Sequence, residues 1–175
     1  NQTYIIRGQL DRFLSKNAEA IQEYQQGLKW NPDCTDCWAG ISDILSSAGN
    51  YTEVETVTLA FLQTHADFVP GLRTLARNVY IPSGRLGQAI ETQSRVVSLA
   101  DQDPNVWDDY RVLAVMLAQA GRFPEALQAA QTSLTKAPQD KQSEMQGLIT
   151  QLQQQLGVGP TLTNTLPAPN PTPSP

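Results

Sequence analysis

Apolar positions recur along this chain with a helical period, and the clearest case lies between Pro104 and Pro138. Tyr110, Leu113, Ala114 and Leu117 step by 3, 1 and 3, which is one face of a helix. Gly121 and Pro124 break that run, since glycine permits a left-handed turn and proline suits a first helical turn. Ala126, Leu127, Ala130 and Leu134 then make a second face, which Pro138 ends. Two short helices joined by a tight turn cannot hide both apolar faces alone. Such a hairpin needs neighbours of its own kind.

The same template fits three earlier stretches. Around Asn1 to Pro32 it finds Tyr4, Gly8, Ala20, Tyr24 and Leu28. Around Thr35 to Ala66 it finds Trp38, Ile41, Leu45, Gly49, Tyr51, Val54 and Leu62. From Val69 it finds Leu72, Leu75, Ala76, Val79, Gly84, Leu86, Ala89, Ile90, Val96 and Val97. Taking Asn1, Thr35, Val69 and Trp107 as equivalent starts, the spacings are 34, 34 and 38 residues. The third unit departs most: the turn Pro82-Ser83-Gly84-Arg85 reads one residue longer than the others, and Gln102 to Pro104 are extra. After Pro138, Met145, Leu148, Ile149, Leu152 and Leu156 form one stripe, with Gln142, Ser143, Gln146, Gln151, Gln153 and Gln154 on the wet side. That composition suits a terminal helix closing a stack of repeats.

The period and the pattern of aromatic, Leu, Gly, Tyr, Ala and Pro positions resemble the tetratricopeptide repeat family. The resemblance covers roughly residues 1–138. It implies an all-α, right-handed superhelix of helical hairpins over 1–156. The units are about 1–34, 35–68, 69–106 and 107–138, with a capping helix at 139–156. Residues 157–175 hold a Pro/Thr-rich tail in which Pro167, Pro169, Pro171, Pro173 and Pro175 alternate. Such a stretch reads as extended, polyproline-like and without a core. It serves either as a linker or as a ligand for a groove, including the repeat groove of a neighbouring molecule, which would be self-association.

Composition narrows the classes. Of 175 residues, 40% are apolar and 17% charged, enough for one continuous core. A net charge of −5 argues against a nucleic-acid binder. No apolar run approaches the length of a membrane span. Four Lys against many Gln, Thr, Ser and Asn, together with the tail, favour an exported or cell-envelope protein over a cytoplasmic one. The chain opens at Asn1 inside a helical pattern, so a signal, an anchor or further domain is expected upstream.

Catalytic patterns are wanting. There is no phosphate-binding Gly-Lys-Ser/Thr loop, no His-Glu-x-x-His and no Gly-x-Ser-x-Gly. Asp101-x-Asp103-x-Asn105 opens like a calcium loop, but Val106 and Val112 replace its Gly and Glu. Asp103 or Asn105 is expected to cap the next helix instead. Cys34-x-x-Cys37 lacks the strand–helix–strand context of a thioredoxin-like site and has too few companions for zinc. A structural disulfide or two half-buried thiols remain. No metal and no cofactor are expected.

The family resemblance implies a concave side lined by the first helix of each unit, at offsets 2, 5, 6, 9, 12 and 13. Arg73 and Arg77 lie four apart and share a face. Arg111 and Tyr80 are expected beside them, with Asp43 and Asp108 on flanking helices. Three guanidinium groups and a phenol would hold an acidic peptide. Alternatively the arginines are solvated and paired with Asp43 and Asp108. The Lys/Arg/Asn clamp of chaperone-binding relatives has no counterpart here. The expected function is a non-catalytic scaffold binding a protein or peptide in its groove. The alternative is an accessory domain of a larger membrane-anchored or exported enzyme.

Overall fold

The computed structural model describes residues 2–157, and among these there is no strand. The helices run in hairpins: α1 (Gln2–Phe13) with α2 (Asn17–Trp30), and α3 (Thr35–Ser47) with α4 (Tyr51–Leu62). Next, α5 (Val69–Thr74) continues as a π-helical segment (Leu75–Tyr80) and pairs with α6 (Leu86–Leu99). Then α7 (Val106–Gln119) pairs with α8 (Phe123–Lys136), and α9 (Gln139–Gln155) closes the stack. Each helix packs mainly on its neighbours in sequence, as a solenoid requires. The tail expected over 157–175 lies outside the described residues from position 158 onward.

The four hairpin turns share one backbone device. Ser15, Gly49, Gly84 and Gly121 all have φ between 59° and 74°. Each closes a three-residue bond, and the next amide reaches five residues back: Lys16 to Asp11, Asn50 to Leu45, Arg85 to Tyr80 and Arg122 to Leu117. This 6→1 bond satisfies carbonyls that the helix end leaves free.

The extra residue of the third unit is therefore not in its turn. It is taken up inside the helix, where i→i+5 bonding over Leu75–Tyr80 absorbs one residue. The consequence is a change of phase. Tyr80 takes the place that Leu45 and Leu117 hold in their turns, and like them it is buried. Val79 likewise matches Ile44 and Met116, all buried.

The core runs the length of the stack. Ile41, Val54, Val79, Ile90, Leu113, Leu117 and Ile149 belong to it. Fully burying such a side chain is worth about 1.5–3 kcal/mol. The first joint is unusually close: the Tyr24 ring is held between two helices that pass it at Gly8 and Gly40. A Cβ at Gly8 would stand 2.6 Å from that ring, and one at Gly40 closer still. Thr58 and Gln93 occupy the matching position in the second and third units and are also fully buried. Thr58 accepts a hydrogen bond from the Trp38 indole at 3.3 Å.

Helix α4 stops at Leu62, where Thr64 and His65 turn their side chains onto the Phe61 carbonyl. One local expectation, the wet side of the last helix, needs correction. Gln153 is buried on α9, because it lies one turn beyond Ile149 on the same stripe.

Candidate functional site

Charged side chains from three elements converge where the third hairpin meets the fourth. Arg73 projects from α5 and Arg77 from its π-helical continuation. Asp103 comes from the loop before α7, and Asp108, Asp109 and Arg111 from α7 itself. Asp109 is the centre, 1% exposed. Its Oδ1 accepts from Arg73 Nε at 3.0 Å, from Arg77 Nη2 at 2.5 Å and from Gln93 Nε2 at 3.1 Å. Its Oδ2 accepts from Arg73 Nη2 at 2.5 Å. Asp103 takes a further Arg73 bond at 2.7 Å. Asp108 receives Arg77 and Arg111, each at 2.7 Å. A buried carboxylate needs such company, because an isolated charge in a low-dielectric interior is prohibitive.

The protonation of these groups follows their partners. Hydrogen bonding to Asp109 holds the Arg73 pKa above its ordinary value; burial opposes this and Asp103 adds to it. The Arg73 guanidinium, helped by the Asn105 amide, holds the Asp103 carboxyl below the usual carboxylate range. Burial pushes the Asp108 carboxyl up, but Arg111 and Arg77 outweigh it and its pKa also lies low. The three arginines and three aspartates balance in charge.

Three of the expected groove residues, Arg73, Arg77 and Arg111, are thus brought together, with Asp108 among them. Tyr80 is not. The π-helical phase change turns it into the core, where the Arg85 guanidinium lies 4.6 Å over its ring and burial raises its pKa. Arg85 itself is held by Glu55 through two bonds of 2.8 and 2.7 Å. Asp43 sits elsewhere too, 3.3 Å from Arg12 on α1. Neither Asp103 nor Asn105 caps α7 through its side chain; Asp103 instead accepts the Asn105 amide at 2.8 Å.

Asp109, the residue that organises this cluster, escaped the sequence reading. Its signal was available: it stands at the same offset as Cys37, an inward-facing position. A carboxylate there demands a buried cation from the preceding unit.

A second feature lies between α1 and α3. Gln9, Arg12 and Phe13 face Asp36, Ala39, Gly40 and Asp43 across an open trough of ≈ 440 Å³, with Tyr24 at its floor. The small Ala39 and Gly40 leave the space, and Phe13 stands at its rim 85% exposed. Beyond the trough, Cys34 and Cys37 are joined in a disulfide at the start of α3. His65, stacked on Phe61, reaches Asp33 at 3.0 Å. Among the described residues, no group of His, Cys, Asp and Glu could hold a metal ion, and no helix is long and apolar enough to cross a membrane.

The sequence matches no family model and no curated protein. Solved structures do match. The chain is similar to MamA at 15% identity, over 90% of this chain and 82% of that one, with a TM-score of 0.73. It is similar to pilF of Pseudomonas aeruginosa at 13% identity, over 89% and 68%, with a TM-score of 0.69. It is similar to the nearly identical TPR-like repeats of a putative kinesin light chain from Podospora anserina at 14% identity, over 89% and 86%, with a TM-score of 0.65. Identities this low speak for the fold alone: the chain is an all-α solenoid with the tetratricopeptide-repeat fold.

Proposed function

We propose that this chain is a non-catalytic scaffold that holds a peptide or protein segment in its concave groove. Repeat solenoids of this fold generally serve protein–protein contact, which is support by analogy. The observation that carries the reading is the trough between α1 and α3, with its exposed Phe13 and its flanking Arg12, Asp36 and Asp43. An aromatic at the rim and small residues at the floor suit an extended segment laid across them.

An acidic partner is the proposed chemistry at Arg73, Arg77 and Arg111, which are part-buried where the third unit meets the fourth. These cations already hold carboxylates, so an incoming acid must compete with them. Arg111 yields most readily, because its close partner is Asp108 alone and Glu144 stands 3.9 Å away. The disulfide at the head of α3 favours an oxidising compartment. We keep the solenoid over 1–156 as the binding unit and the tail over 157–175 as a separate segment that could join two copies.

The test is a titration with labelled ten-residue peptides of acidic, neutral and basic composition. Phe13→Ala is expected to weaken whichever class binds, and Arg111→Glu to weaken the acidic class selectively. If no class binds, or binding ignores both substitutions, the groove reading is wrong.

A further inference from the structure

The two ends of the stack differ. At the C-terminal end α9 turns Gln142, Gln146, Gln151 and Gln154 to solvent. At the other end α1 and the first residue of the turn after it present Ile6, Leu10 and Leu14, 62%, 55% and 52% exposed. These three step by four residues along one stripe. In the second and fourth units the residues matching Leu10 are Ile44 and Met116, and both are buried. At Leu10, then, the exposed face of α1 carries the kind of residue that those units bury.

The charges beside the stripe bear on what covers it. Arg7 and Asp11 lie one turn apart on the same flank, and neither forms an ion pair among the described residues. Opposite charges one turn apart on one flank are self-complementary under a twofold axis. Let two copies of α1 run antiparallel and cross at Leu10. Ile6 of each then faces Leu14 of the other, and the two Leu10 side chains meet. Each Arg7 comes within about 3 Å, along the axis, of the level of the other copy's Asp11, by the 1.5 Å rise per residue. A long arginine side chain spans that offset.

We propose that the outer face of α1 is a self-association surface, on which a second copy of this chain docks its own α1 antiparallel, with Leu10 at the twofold. A single pair of short helices buries less than the roughly 800 Å² per partner of a stable interface, so the dimer is weak and concentration-dependent. This surface is distinct from the trough, and Phe13 is not needed for it.

The experiment is sedimentation velocity of the 175-residue chain over a concentration series, with circular dichroism as the folding control. The wild type is expected to dimerise as concentration rises. Leu10→Glu should weaken dimerisation at least tenfold at unchanged helicity, since Leu10 is exposed. Arg7→Asp should weaken it by a smaller factor, and Arg7→Asp with Asp11→Arg should restore it. A wild type that stays monomeric throughout overturns the proposal. So does a dimer that survives Leu10→Glu, which would point to another surface such as the tail. A charge swap that fails to rescue overturns the antiparallel twofold arrangement.

Discussion

Arg73 lies across the joint between the third and fourth hairpins with its Nε 3.0 Å and its Nη2 2.5 Å from the two carboxylate oxygens of Asp109. This is a side-on, two-bond contact, the geometry in which guanidinium and carboxylate bind best. Arg77 and Gln93 complete the shell of the same carboxylate. The joint is thus fixed by direction as well as by apolar area, in the unit whose spacing deviates most from the repeat.

Removing Asp109 should therefore cost far more than removing its exposed neighbours. Asp109→Ala leaves Arg73 and Arg77 half-buried with one carboxylate partner each. A destabilisation of about 3–5 kcal/mol is expected, the range for breaking a buried pair from one side. Asp101→Ala, at an exposed pair with Lys136, should cost about 0–1 kcal/mol. Urea unfolding of the two variants compares them directly. Equal midpoints would mean that the cluster does not hold the joint.

The same cluster contributes to the acid response, beside the Arg-paired Glu55. Asp103 and Asp108 titrate below the ordinary value of 3.8 in the folded chain. A depressed folded pKa gives stability that is fully present above the unfolded value and is lost as pH falls through the folded one. Melting temperature should stay level from pH 7 to 5 and drop below about pH 4. The double variant Asp103→Asn, Asp108→Asn should start lower at pH 7 and fall less steeply over the acid range. Parallel curves for the two proteins would show that other carboxylates govern acid unfolding.

Two glycines should respond oppositely to alanine. At Gly40 the new methyl would press into the Tyr24 ring, which is clamped on its other side by Gly8. Overpacking of that kind costs about 1–3 kcal/mol. Gly147, inside α9, has nothing within 4 Å of an added Cβ. There alanine gains helix propensity, and stability should rise by about 0.5–1 kcal/mol. Thermal melts of both variants decide the matter; a stabilised Gly40→Ala would mean that Tyr24 is free to move.

The Cys34–Cys37 bridge closes a very short loop, so its entropic effect on the unfolded chain is modest. The chain-entropy relation gives about 2 kcal/mol for a loop this small. Melting with and without a thiol reductant should separate by the corresponding few degrees, and the Cys34→Ser, Cys37→Ser variant should match the reduced protein. Alkylation that labels both cysteines in the untreated protein would exclude the bridge.

Much of this architecture was legible because burial repeats with the helix. Leu72, Leu75, Val79, Leu113, Ala114 and Leu117 are apolar at the offsets that face the core, and all are buried. The turns could be placed because Gly49, Gly84 and Gly121 are needed at positive φ. What the pattern could not convey was pairing between charges. Arg73 and Arg77 share a face as their spacing requires, yet which acids they meet depends on a neighbour 30 or more residues away. The misplacement of Tyr80 has a different origin: counting residues from Val69 assumes a constant 3.6 per turn, and that count fails inside a π-helical turn.

That failure makes a prediction of its own. If the third unit carries one residue more than its helix needs, one position there should be dispensable. Aligning the turns assigns the surplus to Asn78: Arg77 before it matches Asp43 and Val115, and Val79 after it matches Ile44 and Met116. Asn78 is exposed, whereas Val79 is fully buried. Deleting Asn78 restores an ordinary α-helical path, keeps Tyr80 in the core and leaves Arg73 and Arg77 ahead of the change. Stability should shift by only about 1 kcal/mol, typical of a single change away from the core. Deleting Val79 also removes one residue from the turn count, but it takes away a core side chain and should cost about 3 kcal/mol or more. Urea midpoints of the two deletions test this, together with amide exchange over residues 75–80, which should slow in the Asn78 deletion. If the Asn78 deletion proves as damaging as that of Val79, the π-helical turn is not a simple insertion, and the burial of Tyr80 needs another cause.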